Sequence, residues 1–226
     1  MGVLIPEVKA FFDDDSNTIS YVVSCAETRH AAIIDSVLGL DYASGGISYQ
    51  LADDMLAYIA QKELVIDWLI ETHVHADHLS AAPYLQEKIG GKIAISRHIV
   101  EVQKIFGKVF NAGTEFERDG SQFDRLLEDQ DSYEIGHLQG RAIHTPGHTP
   151  GSVSFWFEQY KTLIAGDTLF LGSIGRTDLP GGDFEQIITS IKDRIYTLDD
   201  DAVVVTGHGP NTTIGNEKNA NGFVRA

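Results

Sequence analysis

A single cysteine, Cys25, occurs among the 226 residues. No intrachain disulfide can form, and a reducing, cytoplasmic setting fits that scarcity. Basic residues are also short, with 17 Lys and Arg against 33 Asp and Glu and a formal net charge of −16. That balance argues against nucleic acid as a partner, because phosphate contacts need a basic surface. It argues equally against an anionic membrane surface, and the acidity is read as serving solubility. No apolar run approaches the length needed to span a bilayer. The opening Met1-Gly2-Val3-Leu4-Ile5-Pro6-Glu7 lacks the basic start and long apolar stretch of a secretion signal. Linkers, repeats and low-complexity segments are missing as well. What is there is an ordinary globular balance, 42% hydrophobic and 22% charged. The length suits one large domain over residues 1–226 and is short for two.

The chemistry concentrates in Thr72-His73-Val74-His75-Ala76-Asp77-His78, three histidines and a carboxylate within seven residues. The apolar run Leu64 to Ile70 before it reads as a buried strand. Ser80 to Ile89 after it reads as a helix, with Ser80 as N-cap and Gly90-Gly91 as the stop. The four side chains therefore sit on a loop at a strand's carboxyl end, where α/β folds commonly hold ligands. Neutral imidazole and carboxylate are ligands suited to zinc, iron and manganese. The alternative is a polar surface loop rich in histidine.

In chain order, strands are expected at Val8 to Phe12, Thr18 to Ser24 and Ala31 to Ile34. A Gly- and Ser-rich loop, Gly39 to Ser48, leads to a helix from about Tyr49 to Gln61. After the histidine loop and its helix come a strand at Ile93-Ala94-Ile95 and a helix at Ile99 to Phe106. Asn111 to Asp131 is polar and poorly periodic, either an ordered connection or a mobile lid. Strand signals resume at Ser132 to Ile135, Gly140 to His144, Ser152 to Phe157 and Thr162 to Ala165. Gly181 to Ile195 reads as an amphipathic helix and Ala202 to Val205 as a last buried strand. Two sheets packed face to face with helices outside would bury this much apolar strand.

Three further strand ends carry ligand types among turn-forming residues. They are His148 in Thr145-Pro146-Gly147-His148-Thr149-Pro150-Gly151, Asp167 after Gly166, and His208 in Gly207-His208-Gly209-Pro210. A single histidine after a strand is more often structural. Four such ends in one chain point to a metal.

The motifs THVHADH, TPGHTPG, GDTLF and GHG together resemble the metallo-β-lactamase superfamily over nearly the whole chain. The resemblance implies an α/β fold of the αββα sandwich type, two mixed sheets face to face with helices outside, holding one or two metal ions. Carried over by residue, His73, His75 and His148 match the first metal site. Asp77, His78 and His208 match the second, and Asp167 matches the bridging carboxylate. Two cations within roughly 4 Å of each other need such an anionic bridge. The phrases ETHVHADHLSAAPYL and DGSQFDRLL look like the persulfide dioxygenases, which imply a single Fe(II) on His73, His148 and Asp167. From Gly151 onward, GSIGRTDLPGGD and GHGPNTTIGNEKNANGF look like short glyoxalase II-type proteins. In those, a metal-bound hydroxide attacks a glutathione thioester such as S-lactoylglutathione. The dioxygenases usually carry Asp-Tyr where Gly209-Pro210 stands here, and a cysteine where Ile174 stands. The sequence given also ends at Ala226, without the C-terminal helical region of the longer hydrolases.

Seven ligand positions suit two divalent ions, zinc, iron or both. The expectation is a metal-dependent hydrolase of glutathione-type thioesters, with an iron-dependent persulfide dioxygenase as the alternative. The implied partner is a small thiol-derived substrate, and a homodimer is compatible with the reading. Asp77 and Arg176 are the candidate catalytic residues. Arg176 would bind a substrate carboxylate bidentately or, equally, order its loop through Asp178. Thr72 and Asp35 would orient ligand imidazoles or serve as caps and turn formers. His30 is expected solvated in a turn, His98 at a helix start, His137 and His144 on or beside strands, and Cys25 in the core. Tyr84, Phe110 and Phe170 are read as pocket or core.

Overall fold

The structure is a computed structural model that describes residues 6–225 except positions 42, 79 and 114. The reading of Met1 to Ile5 thus lies outside the described residues. The first half runs β1 (Glu7–Phe12), β2 (Ile19–Ser24), β3 (His30–Ile34), β4 (Gly39–Asp41), β5 (Gly46–Ser48), α1 (Gln50–Lys62), β6 (Val65–Ile70), α2 (Ala82–Ile89), β7 (Lys92–Ser96), α3 (Ile99–Val109) and β8 (Arg125–Leu127). The second half runs β9 (Ser132–Ile135), β10 (Leu138–His144), β11 (Val153–Phe157), β12 (Thr162–Gly166), β13 (Leu169–Phe170), β14 (Ser173–Ile174), α4 (Phe184–Ser190), β15 (Val203–Thr206), β16 (Thr212–Thr213) and α5 (Ile214–Ala220).

Among the described residues two six-stranded sheets form, ordered β1-β2-β3-β6-β7-β8 and β16-β15-β12-β11-β10-β9. Both are mixed: β3, β6, β7 and β8 run parallel, as do β12 and β15, and the other neighbours are antiparallel. Their strands are apolar on successive residues because each sheet is covered on both faces. Alternation then sorts the side chains. Val23, Ile34 and Ile70 point inward with Phe155, Phe157, Ile164 and Val205 of the other sheet. Val22, Ile33 and Leu69 point outward against Met55 and Ile59 of α1 and Leu85 of α2. Trp156, Leu163 and Val204 do the same against Ile187, Ile191 and Ile195. The result is helix, sheet, sheet, helix, and each fully buried Ile, Leu or Phe contributes roughly 1.5–3 kcal/mol. No helix is long and apolar enough to cross a membrane among the described residues.

Some local expectations are revised. Ser80 does not cap α2: Ala81 occupies the N-cap without a side-chain bond, and the chain enters through Pro83 in the first turn. The Ser80 hydroxyl accepts from Ala82 N–H at 3.0 Å and donates to buried Glu71 at 2.6 Å. Gly39 to Ser48 forms the hairpin β4–β5 rather than a plain loop. The 111–131 stretch is a connection tied down at several points. Arg118 donates to Ala112 O at 2.7 Å, Gly120 N–H donates to Gln103 Oε1 at 3.1 Å, and the stretch includes β8. The helix expected from Gly181 begins at Phe184, where the Asp183 side chain accepts Gln186 N–H. It then widens into a π-helical turn over Ile191–Ile195.

Candidate metal centre

The strand ends β6, β12 and β15 and the turn between β10 and β11 meet at one rim of the sandwich. The sheets are joined there by backbone bonds from Val153 N–H to Thr72 O and from Ile19 N–H to Gly207 O, both 2.9 Å. Seven side chains converge in two groups. Ligand atoms of His73, His75 and His148 lie within 4.8 Å of one another, and so do those of Asp77, His78, Asp167 and His208. Asp167 faces both groups. Its Oδ2 is 3.2 Å from His208 Nε2, 3.5 Å from His148 Nε2 and 3.9 Å from His73 Nε2, and its Oδ1 is 3.7 Å from His78 Nε2.

Hydrogen bonds behind the rings aim the lone pairs. His148 Nδ1–H donates to Arg176 O at 2.7 Å, and His208 Nδ1–H donates to Asn17 O at 2.7 Å. Thr72 N–H and Oγ1–H both donate to the carboxylate of buried Asp35 at 2.7 Å. The Thr72 oxygen is thereby left to accept from His73 Nδ1–H at 2.9 Å. His73 and His148 thereby present an Nε2 lone pair to the centre and His208 turns its Nε2 there as well, the outer support metal-binding histidines need. Of the two roles read for Thr72 and Asp35, ligand support is the one their contacts show. Thr72→Val keeps the side chain's shape and removes this relay, so metal affinity is expected to fall about 10–100-fold in a chelator competition. Wild-type affinity in the variant would refute the relay.

The donor set fits a cation. His73 Nε2 and His148 Nε2, both acceptors, face each other at 3.2 Å. His75 Nε2, both ring nitrogens of His78 and Asp167 Oδ1 are buried with no hydrogen-bond partner. Such groups are costly unless something electrophilic meets them. Burial lowers the pKa of His75 to about 4 and holds His73 well below the usual histidine range, so both are neutral ligands at pH 7. Burial acts the same way on His208, but Asp167 and Asp77 outweigh it and raise that pKa to about 10. His78 is raised to about 9 against its burial, chiefly by Asp167. The carboxylates thus make a field that draws positive charge. Gly207 lets the chain pass close: a Cβ there would lie 2.2 Å from Asp167 Oδ1.

A cavity of about 550 Å³ opens on the cluster. Phe170, Ser173, Ile174, Arg176 and Leu179 form its wall opposite the histidines and aspartates. Arg176 is at the mouth, with Nε and Nη2 bonded to the Asp178 carboxylate at 2.7 and 2.8 Å. The salt bridge expected as one of its two roles is formed, and it occupies the bidentate edge. Of the aromatic residues, Phe170 lines the cavity. Tyr84 instead donates to Asp53 and stacks on Tyr49, and Phe110 lies exposed just beyond α3. His30, partly solvated as expected, is the first residue of β3 rather than part of a turn, 2.7 Å from Asp67. Ser173 and Leu179 were not read from sequence. The one hint was the Gly- and Pro-rich stretch after Asp167.

Comparison with known proteins agrees with this geometry. A family model described as the metallo-beta-lactamase superfamily matches residues 13–208. A probable metallo-hydrolase of Burkholderia pseudomallei is 47% identical, with 82% of this chain and 66% of that protein covered. Hydroxyacylglutathione hydrolase GloC of Haemophilus influenzae is 36% identical over 88% of this chain and 90% of that one. Other curated relatives are longer, and the chain spans about half of them (53% and 47%). Among solved structures, ETHE1 of Myxococcus xanthus superposes with a TM-score of 0.77 at 27% identity, covering 96% of this chain and 83% of that one. A protein crystallised in a di-iron-bound form gives a TM-score of 0.68 at 28% identity, with 92% and 95% covered. The chain belongs to the metallo-β-lactamase superfamily, in its glyoxalase II-like and persulfide dioxygenase-like branch.

Proposed function

We propose that this protein is a two-metal hydrolase of glutathione-type thioesters, using zinc, iron or both. One observation carries the reading: two ligand groups, of three and four side chains, share the single buried carboxylate of Asp167. His73, His75 and His148 would hold one ion, Asp77, His78 and His208 the other, and Asp167 would bridge them. When bound, two such ions activate water near neutral pH and polarise a carbonyl. The likeness to the hydroxyacylglutathione hydrolase and to a di-iron-bound protein supports this.

The chain's own residues would do the rest. Asp77, half-buried at the cavity and 3.4 Å from His208 Nε2, would accept a proton from the attacking water. The departing thiolate needs little protonation, so no separate acid is required. Phe170, Ile174 and Leu179 would exclude bulk water from the acyl group. Arg176, steadied by Asp178, would turn its remaining Nη1 edge to a carboxylate of the thiol carrier. The substrate is thus a small thiol derivative met in the cytoplasm, with neither nucleic acid nor membrane as partner.

A second reading rests on His73 Nε2, His148 Nε2 and Asp167 Oδ2, which lie 3.2–3.9 Å apart. Two histidines and a carboxylate on one face suit a single Fe(II) with open positions for oxygen and a persulfide. Zinc-loaded and iron-loaded protein, assayed for S-lactoylglutathione cleavage and for oxygen uptake with glutathione persulfide, separates the two. The expected result is thioester cleavage without oxygen, with His208→Ala lowering bound metal from about two ions to about one. Iron-dependent oxygen uptake without thioester cleavage, and one iron in both proteins, would establish the second reading instead.

A further inference from the structure

The stretch from Gly207 to Phe223 contributes His208 to the cluster and then continues through residues that the proposed chemistry does not use. Glu217 lies in it on α5, 0% exposed. Its Oε1 accepts from Thr212 Oγ1 at 2.6 Å and Asn216 Nδ2 at 2.8 Å. Its Oε2 accepts from Gly172 N–H at 2.8 Å and Asn221 Nδ2 at 2.7 Å. A buried charge persists only when its hydrogen bonds are complete. Burial pushes this carboxyl up, but the surrounding donors more than offset it and hold it below the usual glutamate range.

Two of those bonds lead to the cavity. Gly172 is at the tip of the β13–β14 hairpin, whose Phe170, Ser173 and Ile174 form the wall opposite the histidines. Asn221 Nδ2 also donates to Ser173 O at 3.0 Å, and Gly222 N–H to Gly172 O at 3.3 Å. Among the described residues the hairpin pairs with no other strand, and a lone two-stranded hairpin is marginal by itself. Leu169 and Ile174 bury its base in the outer core, while three backbone groups at its tip are held by the α5 segment. Beyond the hairpin, Arg176 O accepts from His148. The wall is therefore suspended between the metal cluster at one end and Glu217 at the other.

We propose that Glu217 and Asn221 are positioning residues that set the cavity wall against which the substrate lies. This rests on the cavity being the substrate site of the reaction proposed above. Neither residue touches a ligand atom, so their loss should move the wall and leave metal content alone. Glu217→Gln keeps the side chain's shape but removes the charge and sets an NH₂ against Gly172 N–H and Asn221 Nδ2 or, turned over, against Asn216 Nδ2 beside a Thr212 hydroxyl that must turn to accept.

Hydrogen exchange and steady-state kinetics on the metal-loaded full chain test this. In Glu217→Gln, amides of residues 169–174 are expected to exchange at least about tenfold faster while those of β6, β11 and β12 keep their wild-type protection. KM should rise about tenfold, with kcat within about threefold and metal content unchanged, because the wall rather than the reacting centre has moved. Asn221→Ala should act in the same direction and serves if the glutamine variant does not fold. Asn219→Ala, on the exposed face of the same helix, should change neither exchange nor KM. Wild-type exchange at 169–174 with an unaltered KM overturns the proposal. Uniformly faster exchange across the chain overturns it too, because Glu217 would then serve stability alone. Should wild-type protein turn over neither thioester nor persulfide, the proposed function fails and the exchange pattern decides the positioning role by itself.

Discussion

Asp167→Ala is expected to lower bound metal from about two ions per chain to fewer than one and to cut turnover by roughly three orders of magnitude. Asp167 reaches both ligand groups, with His73, His148 and His208 near one oxygen and His78 near the other. Without it, two cations would lie side by side with no carboxylate shared between them, Asp77 serving one ion alone, and mutual repulsion would expel at least one. Asp167→Asn separates charge from shape. The amide still fits below Gly207 but carries no negative charge, so one ion should remain at most. Metal analysis after gel filtration, run beside the thioester assay, checks both variants. Two ions and undiminished turnover in Asp167→Ala would remove the shared carboxylate from the centre of the scheme.

The second large effect lies outside the ligand set. Gly147→Ala is expected to destabilise the protein by about 3 kcal/mol or more, through overpacking and backbone strain together. Gly147 has φ +132°, a region side chains rarely adopt, and its added Cβ would lie 2.2 Å from Ile187 N and 2.4 Å from Ile187 Cα. Those are backbone atoms of α4 and cannot rotate aside. The same turn is locked to that helix by Asp183 N–H donating to Gly147 O at 2.8 Å and Ser190 Oγ–H donating to Pro146 O at 2.7 Å. For a chain of this size the thermal midpoint should drop by about 6–12 °C. His148, the next residue, would be displaced as the turn moves. A midpoint within a degree of wild type would show that the turn is not wedged against α4.

The two predictions mark what was legible in sequence. His73, His148, Asp167 and His208 could be found because each comes within four residues of the end of an apolar strand and directly after a Gly or Thr, in Thr72-His73, Gly147-His148, Gly166-Asp167 and Gly207-His208. A strand's carboxyl end then fixes where the side chain goes. The alternation at Val22-Val23, Ile33-Ile34 and Leu69-Ile70 likewise carried the two-sided burial, and with it the sandwich. The supports behind the ligands were less visible. Asn17 acts through its backbone carbonyl, which any residue could supply. Arg176 steadies His148 by the same means while its side chain suggests something else. Glu217 carried no signal in the sequence, and α5 folds it among four donors from three segments. Ser80 has the composition of an N-cap, but its hydroxyl donates to buried Glu71 and it sits one residue ahead of the cap, which Ala81 occupies. Asn17, Arg176 and Gly172 each meet their partner from a distant part of the chain, so local propensity had nothing to report there.

The candidate ligands divide between the sheets. His73, His75, Asp77 and His78 follow a strand of one sheet, whereas His148, Asp167 and His208 follow strands of the other. An ion held by both groups is therefore a rivet through the sandwich, and opening the fold would mean releasing it. By mass action, free metal at a hundred times its dissociation constant adds about 2.7 kcal/mol per site to the native state. The protein's lifetime before a cellular protease would then rise and fall with metal supply, making its abundance a readout of the metal it uses.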